Sequence, residues 1–131
     1  MPKTILSLNE AKESVCRELK VYPQKIVYTN QNRYCFIKAN NKWSLIVFKR
    51  KPYLTYSRID EEKGYGETIN TENLKEAIKM GCEDVYIVYS NDRIYRTTIT
   101  DILNNSISRF TEAENKEVRS FDLKLLKNVR I

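Results

Sequence analysis

The chemistry this sequence offers most openly is phosphate binding. Between Lys25 and Arg58, 34 residues hold eight cations (Lys25, Arg33, Lys38, Lys42, Lys49, Arg50, Lys51 and Arg58) and no acid. Tyr28, Tyr34, Phe36, Trp43, Phe48, Tyr53 and Tyr56 are interleaved with them. Lysine and arginine neutralise phosphates and release counterions, and aromatic rings give bases a stacking face that contributes about 1–3 kcal/mol per base. The densest run is Phe48-Lys49-Arg50-Lys51-Pro52-Tyr53, continuing to Tyr56 and Arg58. The expected nucleic-acid contacts are therefore Lys38, Lys42, Lys49, Arg50, Lys51, Tyr53, Tyr56 and Arg58. A plainer assignment competes with this one. Phe36, Trp43 and Phe48 are residues of the kind that fill cores, and cations on strand edges also prevent edge-to-edge aggregation.

The charge is uneven along the chain. Net charge is +6, but residues 1–66 carry 13 Lys/Arg against 6 Asp/Glu, and residues 67–131 carry 10 against 11. A basic half beside a near-neutral half points to a polyanionic partner, DNA or RNA.

Catalytic chemistry is poorly supplied. Histidine is absent, which excludes Ser-His-Asp and Cys-His arrangements within the chain and zinc sites built from Cys and His at motif spacing. Cys16, Cys35 and Cys82 are far apart, form no C-x-x-C pair and have mostly apolar neighbours. They read as small buried hydrophobes. Tyr65, Tyr86, Tyr89 and Tyr95 have nothing in the sequence to activate them and read as packing residues. Gly64-Tyr65-Gly66 lacks the remainder of a phosphate loop, and Glu67 and Glu72 would compete with an anion at the helix that follows. Glu83-Asp84 precede a strand as ordinary solvated acids. No cofactor is expected.

The elements that must position these residues follow from spacing. A chain of 131 residues, 41% hydrophobic and 31% charged, fits one folded domain over 1–131. No apolar run approaches the roughly 20 residues of a membrane span. Met1-Pro2-Lys3-Thr4-Ile5-Leu6 leads into polar residues rather than a signal core, so a cytoplasmic protein without membrane association is expected. Ser7-Leu8-Asn9-Glu10 is a capping box, opening a helix with Leu8, Ala11, Val15 and Leu19 on one face, stopped by Pro23.

Strands are expected over Lys25–Thr29, Arg33–Ala39 and Lys42–Lys51, with the last covered on both faces, and again over Tyr53–Arg58. A charged loop spans Asp60 to Gly66. Asn70 or Thr71 caps a second helix with Leu74, Ala77 and Ile78 buried and Gly81 closing it. Val85–Tyr89 and Arg93–Ile99 form a hairpin, Thr100 caps a short helix through Ile107, and Arg109–Thr111 pairs with Val118–Leu123. The class is α+β, with a mostly antiparallel or mixed sheet carrying an N-terminal and a central helix.

The order α-β-β-β-α-β over about residues 7–90 resembles the core of the PD-(D/E)XK nuclease superfamily. That resemblance implies two or three carboxylates and a lysine around a divalent metal, on the second and third core strands. Those strands fall here within Lys25–Arg58, where no acid stands. The literal match is Asp60 with Glu61-Glu62-Lys63, in the glycine-containing loop. A nuclease-like fold would accordingly be a degenerate one that kept its nucleic-acid surface. Three functions are thus expected in descending order. The first is a non-enzymatic nucleic-acid-binding domain. The second is an interaction or structural domain, one form of which is a homodimer through Val118–Leu123, Leu125-Leu126 and Val129. The third is a metal-dependent nuclease using Asp60, Glu61, Glu62 and Lys63.

Overall fold

A computed structural model describes residues 14–17, 25–28, 34–39, 41–49, 67–90, 93–111 and 115–129. In chain order the elements are β1 (Lys25–Tyr28), β2 (Tyr34–Ala39), β3 (Lys42–Phe48), β4 (Glu67–Asn70), α1 (Thr71–Met80), β5 (Asp84–Val88), β6 (Ile94–Thr98), α2 (Ile99–Asn104), β7 (Ser106–Thr111), β8 (Lys116–Phe121), a 3-10 turn Leu123–Leu125, and β9 (Lys127–Asn128). Residues 14–17 are also helical. The fold is α+β.

Side chains alternate across a strand, and β3 is apolar on both sides. Leu45 and Val47 enter one core with Tyr34, Phe36, Leu74, Ala77, Val85 and Ile87. Ile46 enters a second, on the other face, with Cys35, Ile37, Tyr86, Val88, Ile94 and Val15 from the N-terminal helical residues. The strand is therefore central and covered on both sides, as its sequence predicts.

It lies in a six-stranded sheet of order β1-β2-β3-β5-β6-β9. Every neighbouring pair there is antiparallel except β3 with β5, where Leu45 stands opposite Val85 and Ile46 opposite Tyr86. A parallel pair needs a crossover, and the connection containing β4 and α1 supplies it.

Helix α1 begins where Asn70 accepts from the Glu72 amide at 2.8 Å and ends at Gly81, whose φ of 82° is left-handed. Asn73, Leu74 and Ala77 are buried. Ile78, expected in that stripe, is 50% exposed. At about 100° per residue, Asn73, Ala77 and Leu74 span one arc and Ile78 falls about 40° beyond it; a polar residue holds the place assigned to an apolar one. Helix α2 is capped by Thr98, not Thr100, its hydroxyl accepting from the Asp101 amide at 3.1 Å. Ile107, expected to end that helix, instead lies in β7, paired with Ser120 of β8.

Strand β4 is not anticipated by the sequence. It pairs with β8 in a second, three-stranded antiparallel sheet, β4-β8-β7. The C-terminal apolar residues are used within the chain: Leu126 and Leu125 pack on the first core, Val129 on the second, and β9 pairs with β6. The remainder of the expected N-terminal helix, the Tyr53–Arg58 strand and the Asp60–Gly66 loop lie outside the described residues. No described helix is long and apolar enough to cross a membrane.

Candidate functional site

The β2–β3 turn gathers part of the expected basic surface. Asn41 takes a φ of 64° there, a conformation asparagine tolerates. Cross-strand pairing sets Lys38 opposite Trp43, and Lys25 of β1 opposite Lys38. The Lys38 ammonium lies 5.9 Å from the centre of the Trp43 ring, a cation–π distance. Trp43 is half-buried, its other surface on the first core, and Lys42, the preceding residue and so on the other face of the sheet, is exposed. Among the described residues neither Lys38 nor Lys42 enters an ion pair. Acid bounds this end of the sheet on one side: Asp84 opens β5 opposite Ser44, and Glu83 before it is exposed.

Other aromatics of the basic stretch are not available for stacking. Tyr34 and Phe36 are buried against each other, edge to face at 6.0 Å, and Phe48 packs on the second core. Arg50, Lys51, Tyr53, Tyr56 and Arg58 lie outside the described residues.

Lys49 parts company with Lys38 and Lys42. It follows β3 at the end away from the turn, about 23 Å from Lys42 at the rise of an extended strand. Its amide donates to Val88 O at 2.9 Å. Its ammonium lies 3.2 Å from Glu67 Oε1 and donates to Thr68 O at 2.6 Å. The Glu67 side chain is 2% exposed and that of Lys49 19%. Oε1 of Glu67 also accepts from the Thr68 amide at 3.0 Å, and Oε2 accepts from the buried Tyr89 hydroxyl at 2.7 Å. A carboxylate out of water needs such partners. Lys49 therefore neutralises an interior acid rather than presenting its charge with the others.

Near the β4–α1 junction lies a cavity of about 310 Å³ lined by Tyr34, Asn70, Glu72, Asn73, Glu76, Asn115, Lys116 and Glu117. The Tyr34 hydroxyl donates to Glu76 Oε2 at 2.8 Å. Asn70 spends its oxygen on the helix cap, and Glu117 Oε1 accepts from Ser108 Oγ at 2.5 Å. Sequence reading misses this site because its walls come from β2, α1 and the β7–β8 turn. The one local signal is Asn73 within the apolar stripe of α1.

Asp60, Glu61, Glu62 and Lys63 lie outside the described residues, and among those described no three Cys, Asp or Glu side chains stand together as a metal site. Cys35 and Cys82 are buried and Cys16 is half-buried. Burial pushes the Cys82 thiol up to about 11. Burial, aided by Asp84, raises the Tyr86 phenol too, and Arg96 opposes that.

No protein-family model, curated protein or solved structure matches the chain.

Proposed function

We propose that the chain is a non-enzymatic domain that binds DNA or RNA through the β1–β3 end of its larger sheet. The observation that carries this reading is the placing of Lys38 over the half-buried Trp43, with Lys25 in register next to Lys38 and Lys42 exposed at the same end of the sheet on its other face. Cations free of ion pairs meet phosphates, and the exposed part of the indole offers a base a stacking face. Lys49 is left out of the interface because Glu67 holds it.

Anisotropy titrations with labelled single- and double-stranded DNA and RNA at several salt concentrations test it. Phosphate contacts from Lys38 and Lys42 predict a slope of log affinity against log salt of about −1.4 for single strands. Undiminished binding by a Lys38→Glu, Lys42→Glu double variant would remove the assignment.

Self-association is a second reading, favoured by β7. Among the described residues that strand pairs only with β8, and its Phe110 is 60% exposed. An unpaired edge bearing an exposed aromatic suits antiparallel pairing with a second copy. β8 is paired on both sides and does not serve. Sedimentation showing a monomer at all concentrations would exclude this reading.

A further inference from the structure

The cavity at the β4–α1 junction has its own chemistry, independent of nucleic-acid binding. Asn73 is only 8% exposed and lines the cavity, and among the described residues its side-chain amide makes no hydrogen bond. Its amide atoms open onto the cavity rather than being sealed without partners, so solvent or a ligand completes them there. Around it, Glu76 Oε1 and Glu117 Oε2 accept no hydrogen bond among the described residues, because each of these side chains spends only its other oxygen. Asn70 Nδ2 is likewise uncommitted.

Three carboxylates, Glu72, Glu76 and Glu117, line it with one ammonium, Lys116, and since Glu72 is also 3.5 Å from Lys75 Nζ, the negative charge of the walls rests on Glu76 and Glu117. The helix N-terminus beside them favours negative charge, and Glu72 in the first turn already answers it. The Tyr34 ring adds an aromatic wall that attracts cations. The volume is at the low end for a small-molecule site.

We propose that this cavity binds a small organic cation that donates hydrogen bonds, a guanidinium or primary ammonium compound. Its charged group sits between Glu76 and Glu117. Asn73 accepts from its N–H groups and, together with Asn70, donates to any oxygen the ligand carries. A planar guanidinium matches several acceptors at once, and an ammonium acts as a point charge.

Agmatine, spermidine and tetramethylammonium, titrated into 15N-labelled protein at constant ionic strength, test this. Agmatine or spermidine should shift the Asn73 and Asn70 side-chain amides saturably, the Asn70 amide serving as the readout in every variant, and tetramethylammonium, which has charge but no N–H, should not. Glu76→Gln keeps an oxygen for the Tyr34 hydroxyl on an exposed helix position, and Asn73→Leu keeps the buried volume. Each should weaken binding about tenfold. Equal responses to all three cations, no response to any, or unchanged affinity in both variants would overturn the proposal.

Discussion

The Tyr89 hydroxyl donates to Glu67 Oε2 at 2.7 Å across 22 residues of chain, and both side chains are buried. The bond ties the end of β5 in the larger sheet to β4 in the smaller one. With Lys49 and the Thr68 amide on Oε1, both carboxylate oxygens of Glu67 are satisfied. Breaking one side of a buried pair costs more than the pair itself contributes. Glu67→Ala is expected to cost about 3–5 kcal/mol, because it removes the carboxylate that neutralises the Lys49 ammonium and accepts from the Tyr89 hydroxyl. Glu67→Gln, which keeps an oxygen for Tyr89, should cost about half as much, and Tyr89→Phe about 1 kcal/mol. Urea unfolding of the three variants gives the ranking, and a neutral Glu67→Ala would show that the cluster holds nothing together.

Gly81 closes α1 with φ of 82°, and a Cβ built there meets no atom within 4 Å. Any penalty for adding one is conformational rather than steric. Gly81→Ala is expected to cost about 1–2 kcal/mol, and Gly81→Asn less, because asparagine tolerates the left-handed region. At this chain length each kcal/mol lowers the melting temperature by about 3–5 °C. Equal melting temperatures for Ala and Asn would contradict the assignment.

The parts of the fold legible in sequence are those whose signals are local. β3 shows itself by apolar residues on both faces, and α1 by Asn70 before it and Gly81 after it. β4 does not: it is four residues long and starts with a glutamate. Glu67 is buried only because Lys49, Tyr89 and the backbone converge on it from other strands. The same pairing hides the role of Lys49, which by position belongs to a basic run and by contact to the interior. Trp43 reads as core ahead of binding face, and in the fold it is half-buried against the first core. The cavity is silent in sequence for a related reason. Its walls meet only after β2, α1 and the β7–β8 turn are assembled, and Asn73 alone breaks a pattern.

Cys82 predicts a pH dependence. Its thiol rises from the ordinary 9.0 to about 11 because burial disfavours the thiolate. The folded value lies above the unfolded one. The contribution to stability is therefore complete below pH 9.0 and is lost as pH climbs from there through about 11. Stability measured across that window should fall more for the native chain than for Cys82→Ala. At about pH 8, thiol-reactive dyes should label Cys16 first and reach Cys35 and Cys82 only on unfolding, since the thiolate is the nucleophile and both are buried. Rapid labelling of Cys82 in the folded protein would refute its burial.

Trp43 is the single tryptophan, so its emission reports the β2–β3 turn alone. If bases stack there, single-stranded oligonucleotides should quench it in step with anisotropy, and duplexes, whose bases are already stacked, should quench it less. Lys42→Glu should weaken binding to all sequences alike and flatten the salt slope by about one contact. Lys38→Glu should do the same and also shift the emission of the free protein, because its ammonium lies over the indole. Arg93→Glu is the control that separates a site from bulk charge. Arg93 is exposed and adjoins β6 at the end of the sheet away from the turn, yet its substitution changes net charge as much as Lys42→Glu does. An interface at the turn predicts that Arg93→Glu leaves affinity nearly unchanged. Equal losses from the two variants would mean that the protein attracts nucleic acid only through its overall charge, with no defined surface.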